Sequence, residues 1–359
     1  MSEARSGTDR RSLFENYRPA PVAFERGRGV WLVDVEGREV LDALAGIATV
    51  SLGHSHPKMV AALQSQTERY LHVSNLFEIP EQAAAAAALV RAAACDAAPE
   101  RQLTRVFFCN SGAEANEAAI KMARKFAWRG AEERGEVPGE RHEVVVVERG
   151  FHGRTLGALA ATPNPAYHVG FEPLPGGFVA VPPDDVAAAE RAVGKQTCAV
   201  LVEPVQGEGG VHVLAPEYLE ALQQLCRERG ALFLLDEVQT APARLGETMF
   251  AFQKRGLQPD AVVLAKGLGS GVPVGAVLAR DEVARALQPG DHGSTFGGNT
   301  LASTAVRVVL EVLREEAIPE RVTEAGARLR AGLEALAERG VLEVRGEGLM
   351  LAAVPVSYT

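Results

Sequence analysis

Lys266 follows the apolar run 261–265 and is followed by Gly267, Gly269 and Gly271. An amine at the end of such a run can act as a nucleophile or carry a proton. A free lysine, with a pKa of about 10.4, is charged and inert at neutral pH until burial or a nearby cation removes that charge. Taken alone, a lysine after an apolar run reads as a solvated loop residue. Two other runs change the reading. The run 232–235 leads into Asp236 and Glu237, and the run 106–109 leads into Asn110, Ser111, Gly112 and Ala113 at the start of a helical pattern. Small residues at a helix start leave backbone N–H groups open to an anion such as phosphate.

An amine, a carboxylate and an anion cradle at three strand ends match what pyridoxal 5'-phosphate requires: a partner for its aldehyde, a carboxylate to keep the pyridine nitrogen protonated, and amides for its phosphate. Other nucleotide and metal chemistries fit less well. Val272 stands where a third glycine of GxGxxG would fall, and no GxxxxGK[ST] occurs. His54 and His56 in GHSHP have no third ligand at a suitable spacing, so no metal is expected, and Pro57 marks a helix start there.

The elements that must position these residues alternate. Runs 106–109, 144–147, 199–202, 232–235 and 261–265 are continuously apolar and read as buried parallel strands. Helical patterns at 81–94, 113–128 and 217–229 flank or separate them, and the charged stretch 129–143 reads as a surface connection. The expected class is α/β, with ligands at the carboxyl ends of the strands. Beyond residue 299 the pattern is helical at 301–315 and 320–339 and ends in a strand-like tail from 341.

The 359 residues are 47% apolar and 23% charged, which suits a folded protein with a large α/β domain and a smaller lobe. A net charge of −9 without a basic run excludes a nucleic-acid partner. Nothing approaches the roughly 18 consecutive apolar residues of a membrane span, and the arginine-bearing N-terminus, with Glu3 and Asp9, is not a secretory signal. Cys95, Cys109, Cys198 and Cys226 show no CxxC pairing and read as reduced residues of a cytoplasmic protein.

The segments LGHSHP (52–57), VFFCNSGAEANEAAIKMARK (106–125), GFHGRTLGALAAT (150–162), VEPVQGEGG (202–210), LLDEVQT (234–240), LAKGLGSGVPVGAV (264–277) and GDHGSTFGGN (290–299) resemble the class III, or ornithine-type, aminotransferases. The resemblance runs from about residue 17 to 350. It implies a fold type I transferase: an N-terminal arm and small-lobe segment at 1–50, a large cofactor-binding domain at 51–298, and a C-terminal small lobe at 299–359 that is incomplete. It implies that Lys266 is the Schiff-base lysine and proton shuttle, that Asp236 pairs with the pyridine nitrogen and that Gln239 lies near the ring hydroxyl. Ser111, Gly112 and Ala113 would hold the phosphate, and Phe151 and Val238 would cover the two ring faces. Thr295 would reach the phosphate of a partner subunit in a homodimer. Arg154 and Tyr17 would bind a substrate carboxylate, and Glu208 would pair with an arginine that family members carry beyond the point matching Met350.

The implied reaction moves the δ-amino group of N-acetylornithine to 2-oxoglutarate in two stages. Ornithine, succinylornithine, 4-aminobutyrate and a carrier-linked lysine precursor are the alternative donors. Ile47, where ornithine-specific relatives tend to carry tyrosine, points away from free ornithine. A second reading is a protein that keeps the fold and lacks full catalysis. It is motivated by the 299–359 segment and by Ala241, Pro242, Ala243, Arg244, Leu245 and Gly246, which stand where relatives read GxGRxG.

Overall fold

Strands rich in Val, Leu and Ala on both faces must be covered on both faces, and the chain does this with a sheet between two helical layers. The computed structural model describes residues 11–337 and 342–355. A three-stranded antiparallel meander comes first, β1 (Phe24–Arg28), β2 (Trp31–Asp34) and β3 (Glu39–Leu41). The central sheet contains β4 (Leu103–Cys109), β5 (Glu143–Val147), β6 (Phe178–Val181) and β7 (Thr197–Val202). After a small hairpin of β8 (Val205–Gln206) and β9 (His212–Val213), it is completed by β10 (Leu232–Asp236), β11 (Ala261–Leu264) and β12 (Gly275–Arg280). Its order is β4-β12-β11-β10-β7-β5-β6. Neighbours from β11 to β6 run parallel, and β12 alone runs against both β11 and β4.

Every residue of β7, β10, β11 and β12 is buried. Alternate side chains divide between two cores. Val200, Val202, Phe233 and Leu235 face one, packed with Leu219 and Leu222 of the helix Pro216–Arg229. Ala199, Leu201, Leu232 and Leu234 face the other, packed with Ala115, Ala118, Ala119 and Met122 of the helix Gly112–Arg134. The small alanines let that helix lie close to the sheet. The helix Thr300–Glu315, N-capped by Asn299, sends Ala302, Val306 and Leu310 into the first core and Ala305, Val309 and Leu313 toward Met59 of the helix Pro57–Arg69. The helix Ile318–Ala337 follows, and then an antiparallel pair, β13 (Leu342–Glu347) and β14 (Met350–Pro355).

Three features differ from the sequence expectation. The stretch expected as a surface connection from 129 is helical to Arg134, and Gly135, at φ 68°, supplies the left-handed C-cap. β12 was absent from the expected strands although it sits between β4 and β11. Gly275 makes this possible, because a Cβ there would collide with the carbonyl of Ser111. The short β6 and the meander Phe24–Leu41 were also not foreseen; their strands run only three to five residues. Pro57 occupies the first turn of its helix as expected, with His56 at the N-cap. The four cysteines are free; Cys109, Cys198 and Cys226 are buried. Among the described residues no helix is long and apolar enough to cross a membrane.

Candidate active site

Parallel strands end together, so the turns after β4, β5, β7, β10 and β11 meet along one edge of the sheet, joined there by the beginning of β12. A cavity of about 430 Å³ opens at this edge. Its walls include Ser111, Gly112 and Ala113 after β4, Phe151 and Arg154 after β5, Asp236, Val238 and Gln239 from β10 onward, and Lys266 after β11. Nine of the twelve residues singled out in the sequence therefore share one space. Glu208 lies instead on the wall of a neighbouring cavity of about 560 Å³ that also touches Phe151. Tyr17, 75% exposed on the N-terminal arm, and Thr295, exposed on the loop before Asn299, are outside the walls of the first cavity.

Lys266 takes a left-handed backbone conformation, φ 43°, which costs a non-glycine residue on the order of 1 kcal/mol and is found where a side chain must be aimed. The loop is tied from behind. Ser51 Oγ donates to the Gly267 carbonyl at 2.7 Å, and the Leu52 N–H donates to Ser270 Oγ at 3.0 Å. Burial lowers the pKa of the Lys266 amine. The carboxylates of Glu208, Asp236 and Glu203 oppose that shift, and the nearby Arg244 adds to it. The direction favours the neutral, nucleophilic amine.

Asp236, 3% exposed, is held by three donors. Asn116 Nδ2 donates to Oδ2 at 2.8 Å, His152 Nδ1 lies 2.8 Å from the same oxygen, and the Val238 N–H donates to Oδ1 at 3.0 Å. Burial disfavours the charged form of His152, but the hydrogen bond and charge of Asp236 outweigh it, and the His152 pKa is raised. Glu203 stands at the end of β7, 2% exposed. Its Oε1 accepts from the Phe151 N–H at 2.8 Å and its Oε2 from Gln239 Nε2 at 3.3 Å. Burial first, and the Asp236 charge second, push its carboxyl up to about 7.

That raised value has a consequence for stability. Glu203 binds its proton more tightly folded than unfolded, so its stabilisation is complete below about pH 4.5 and is lost as pH rises through about 7. Glu203→Gln cannot ionise. Its stability relative to the parent is expected to increase by on the order of 2 kcal/mol between pH 5 and pH 8, read by urea unfolding at the two pH values. An equal difference at both would contradict a raised Glu203 pKa.

The residues present fit pyridoxal phosphate. The helix Gly112–Arg134 begins at the cavity wall, where its first N–H groups could take the phosphate. The Ser111 side chain caps the helix by accepting from the Glu114 N–H at 3.2 Å, and the Glu114 carboxylate accepts from the Asn110 N–H at 2.7 Å; together these bonds fix this turn. A Cβ on Gly112 would lie 3.1 Å from both methyls of Val238, so glycine keeps the backbone approachable. Asp236 lies across the same space and Oδ1 has a second lone pair to offer.

Sequence reading missed Asn116, His152 and Glu203. Each carried a signal: Asn116 is four residues beyond Gly112 and so on the same helix face, His152 adjoins Phe151, and Glu203 directly follows an apolar strand.

Known proteins bear on this site. Residues 13–357 match the family described as aminotransferase class-III. The chain is 45% identical over 340 residues to an acetylornithine aminotransferase of Methanocaldococcus jannaschii, covering 94% of this chain and 81% of that protein. It is 48% identical over 343 residues to one from Xylella fastidiosa, covering 94% and 80%. The solved structure of the ornithine aminotransferase from Toxoplasma gondii superposes with a TM-score of 0.89 at 36% identity, covering 97% of this chain and 81% of that one. With the lysine, the carboxylate and the helix N-terminus meeting in one cavity of a transferase fold of type I, the chain belongs to the class-III aminotransferase family.

Proposed function

We propose that the protein is a cytoplasmic transaminase that uses pyridoxal 5'-phosphate to move the δ-amino group of N-acetylornithine to 2-oxoglutarate. The observation that carries the chemistry is the meeting of Lys266, Asp236 and the Gly112–Ala113 amides in one cavity. Eight relatives named acetylornithine aminotransferase, at 42–48% identity, support the choice of donor over ornithine or 4-aminobutyrate. The cofactor supplies an electron sink conjugated to the substrate nitrogen.

The chain's own residues do the rest. Lys266 Nζ would be the attachment point for the cofactor aldehyde, and as a buried amine it would carry a proton to and from the substrate carbon. Asp236, fixed by Asn116 and His152, would hold the pyridine nitrogen in its protonated form. Ser111, Gly112 and Ala113 would hold the phosphate, Phe151 and Val238 would cover the ring and Gln239 would meet its hydroxyl. Arg154 and Tyr17 take the substrate carboxylate, for which a guanidinium fork is suited, and Glu208 stands at the keto-acid side of the site.

The active form we propose is a homodimer. Leu71, Leu76, Phe77 and Phe296 are 54%, 90%, 70% and 57% exposed. Asn75 Nδ2 ties their loops together by donating to the Ser294 and Gly297 carbonyls at 3.1 and 3.0 Å. Such an apolar patch calls for a cover, and a second copy would bring Thr295 to its partner's site.

Glutamate formation tests the function. It is expected with N-acetylornithine and 2-oxoglutarate, at a kcat/KM above those for ornithine and 4-aminobutyrate. No glutamate from any donor would refute the transaminase, and a preference for ornithine would refute the donor.

A further inference from the structure

Arg154 is exposed and, among the described residues, makes no ion pair. A long side chain in that setting samples many rotamers, which would make a poor carboxylate clamp. Two rings hold it instead. The Arg154 guanidinium carbon lies 3.8 Å from the centroid of the Tyr167 ring and 5.5 Å from that of Phe151. The two rings meet edge to face at 6.3 Å and 87°. A guanidinium stacked on a ring uses its face and leaves its in-plane N–H groups free to fork a carboxylate. Both Phe151 and Arg154 line the cavity that holds Lys266, whereas Tyr167 lines the neighbouring one.

Tyr167 is itself well founded. It belongs to the short helix Pro165–His168, where Asn164 Oδ1 accepts from the Ala166 N–H at 3.1 Å. His168 Nε2 lies 3.0 and 2.8 Å from the carbonyls of Leu159 and Thr162. Thr162 in turn accepts from the His152 N–H at 2.9 Å, and His152 meets Asp236. The ring that supports Arg154 thus stands on the same frame that orients Asp236.

We infer that Tyr167 is a positioning residue for substrate carboxylates, acting through Arg154. The inference rests on the carboxylate role given to Arg154 above. It is specific to the aromatic face: no side-chain hydrogen bond of the Tyr167 hydroxyl occurs among the described residues, so phenylalanine should serve as well as tyrosine.

The test uses the cofactor-loaded protein and two readouts, glutarate binding by calorimetry and steady-state kinetics with N-acetylornithine. Tyr167→Leu is expected to weaken glutarate and raise KM about five- to tenfold, with kcat changing by less. Tyr167→Phe is expected to restore both. In an Arg154→Ala background, Tyr167→Leu should add nothing further, because the group it positions is gone. The inference is overturned if Tyr167→Leu binds glutarate like the parent while Arg154→Ala does not, if the two effects simply add, or if Tyr167→Phe fails as Tyr167→Leu does. Unchanged glutarate binding in Arg154→Ala would instead remove the carboxylate role of Arg154, and the inference with it, while glutamate formation would still report on the transaminase.

Discussion

Lys266→Ala is expected to abolish transamination, lowering kcat/KM by at least about 10⁴-fold, because in the proposed function one side chain would serve as both the attachment point and the proton carrier. Positioned proton transfer alone contributes roughly 10²–10⁴-fold, and the lost covalent step adds to it. The surrounding geometry should survive: the helix N-terminus after β4, the Asp236 network and the Ser51 contact to Gly267 do not involve the lysine side chain. The variant should therefore still bind pyridoxal phosphate, but release it on dialysis, where the parent retains it. Visible absorbance before and after dialysis, with glutamate formation measured alongside, checks both parts. A variant that keeps the cofactor through dialysis, or loses less than about tenfold in kcat/KM, would place the reactive amine elsewhere.

Asp236→Asn comes next in size. The substitution preserves shape and removes the carboxylate proposed to keep the pyridine nitrogen protonated, so kcat/KM should fall about 10²–10³-fold, the usual effect of deleting one preorganised electrostatic group. Cofactor attachment at Lys266 should persist. Asn is the informative replacement. Asp236→Ala would also strip His152 Nδ1 of its acceptor and leave Asn116 Nδ2 with only the His152 carbonyl, at a cost of roughly 1–3 kcal/mol in stability. A second readout comes from Glu203, whose carboxyl is raised in part by the Asp236 charge. In Asp236→Asn the pH at which Glu203 ionises should fall, moving the pH dependence of unfolding downward. An Asp236→Asn enzyme within tenfold of the parent would contradict the assigned role.

What was legible in the sequence follows from burial. β7, β10 and β11 are covered on both faces, so their residues are continuously apolar and the runs stand out. Lys266, Asp236 and the 110–113 turn break those runs at their carboxyl ends, which is why chemistry could be assigned to them. β12 is equally apolar, but its sequence follows the glycine-rich stretch after Lys266 and was absorbed into that motif. Its antiparallel direction depends on a partner choice with β4 that no local pattern encodes. Glu203 and His152 were overlooked for a related reason. Their importance lies in contacts with residues 84 and 36 positions away, His152 with Asp236 and Glu203 with Gln239. Tyr17 and Thr295 were legible only by resemblance, and within a single chain they stand outside the cavity.

The substituted loop after Thr240 shows what pattern alone conveys. Ala243, where the resemblance leads one to expect glycine, adopts φ 60°, a glycine-like bend that strains a residue with a side chain. Ala243 is nevertheless buried at 2% exposure, packed with Met59, Ala305, Val309 and Leu313. The methyl gained in that core opposes the strain of the backbone, at about 0.8 kcal/mol per buried carbon. The loop is thereby held with alanine at 241 and 243.

Borohydride reduction with peptide mapping tests the central claim most directly, because it reports the lysine and both half-reactions in one assay. In the cofactor-loaded protein, reduction should fix the cofactor on the peptide containing Lys266. Prior incubation with N-acetylornithine should abolish that adduct, and subsequent 2-oxoglutarate should restore it. An adduct on another lysine, or a Lys266 adduct indifferent to both N-acetylornithine and 2-oxoglutarate, would contradict it.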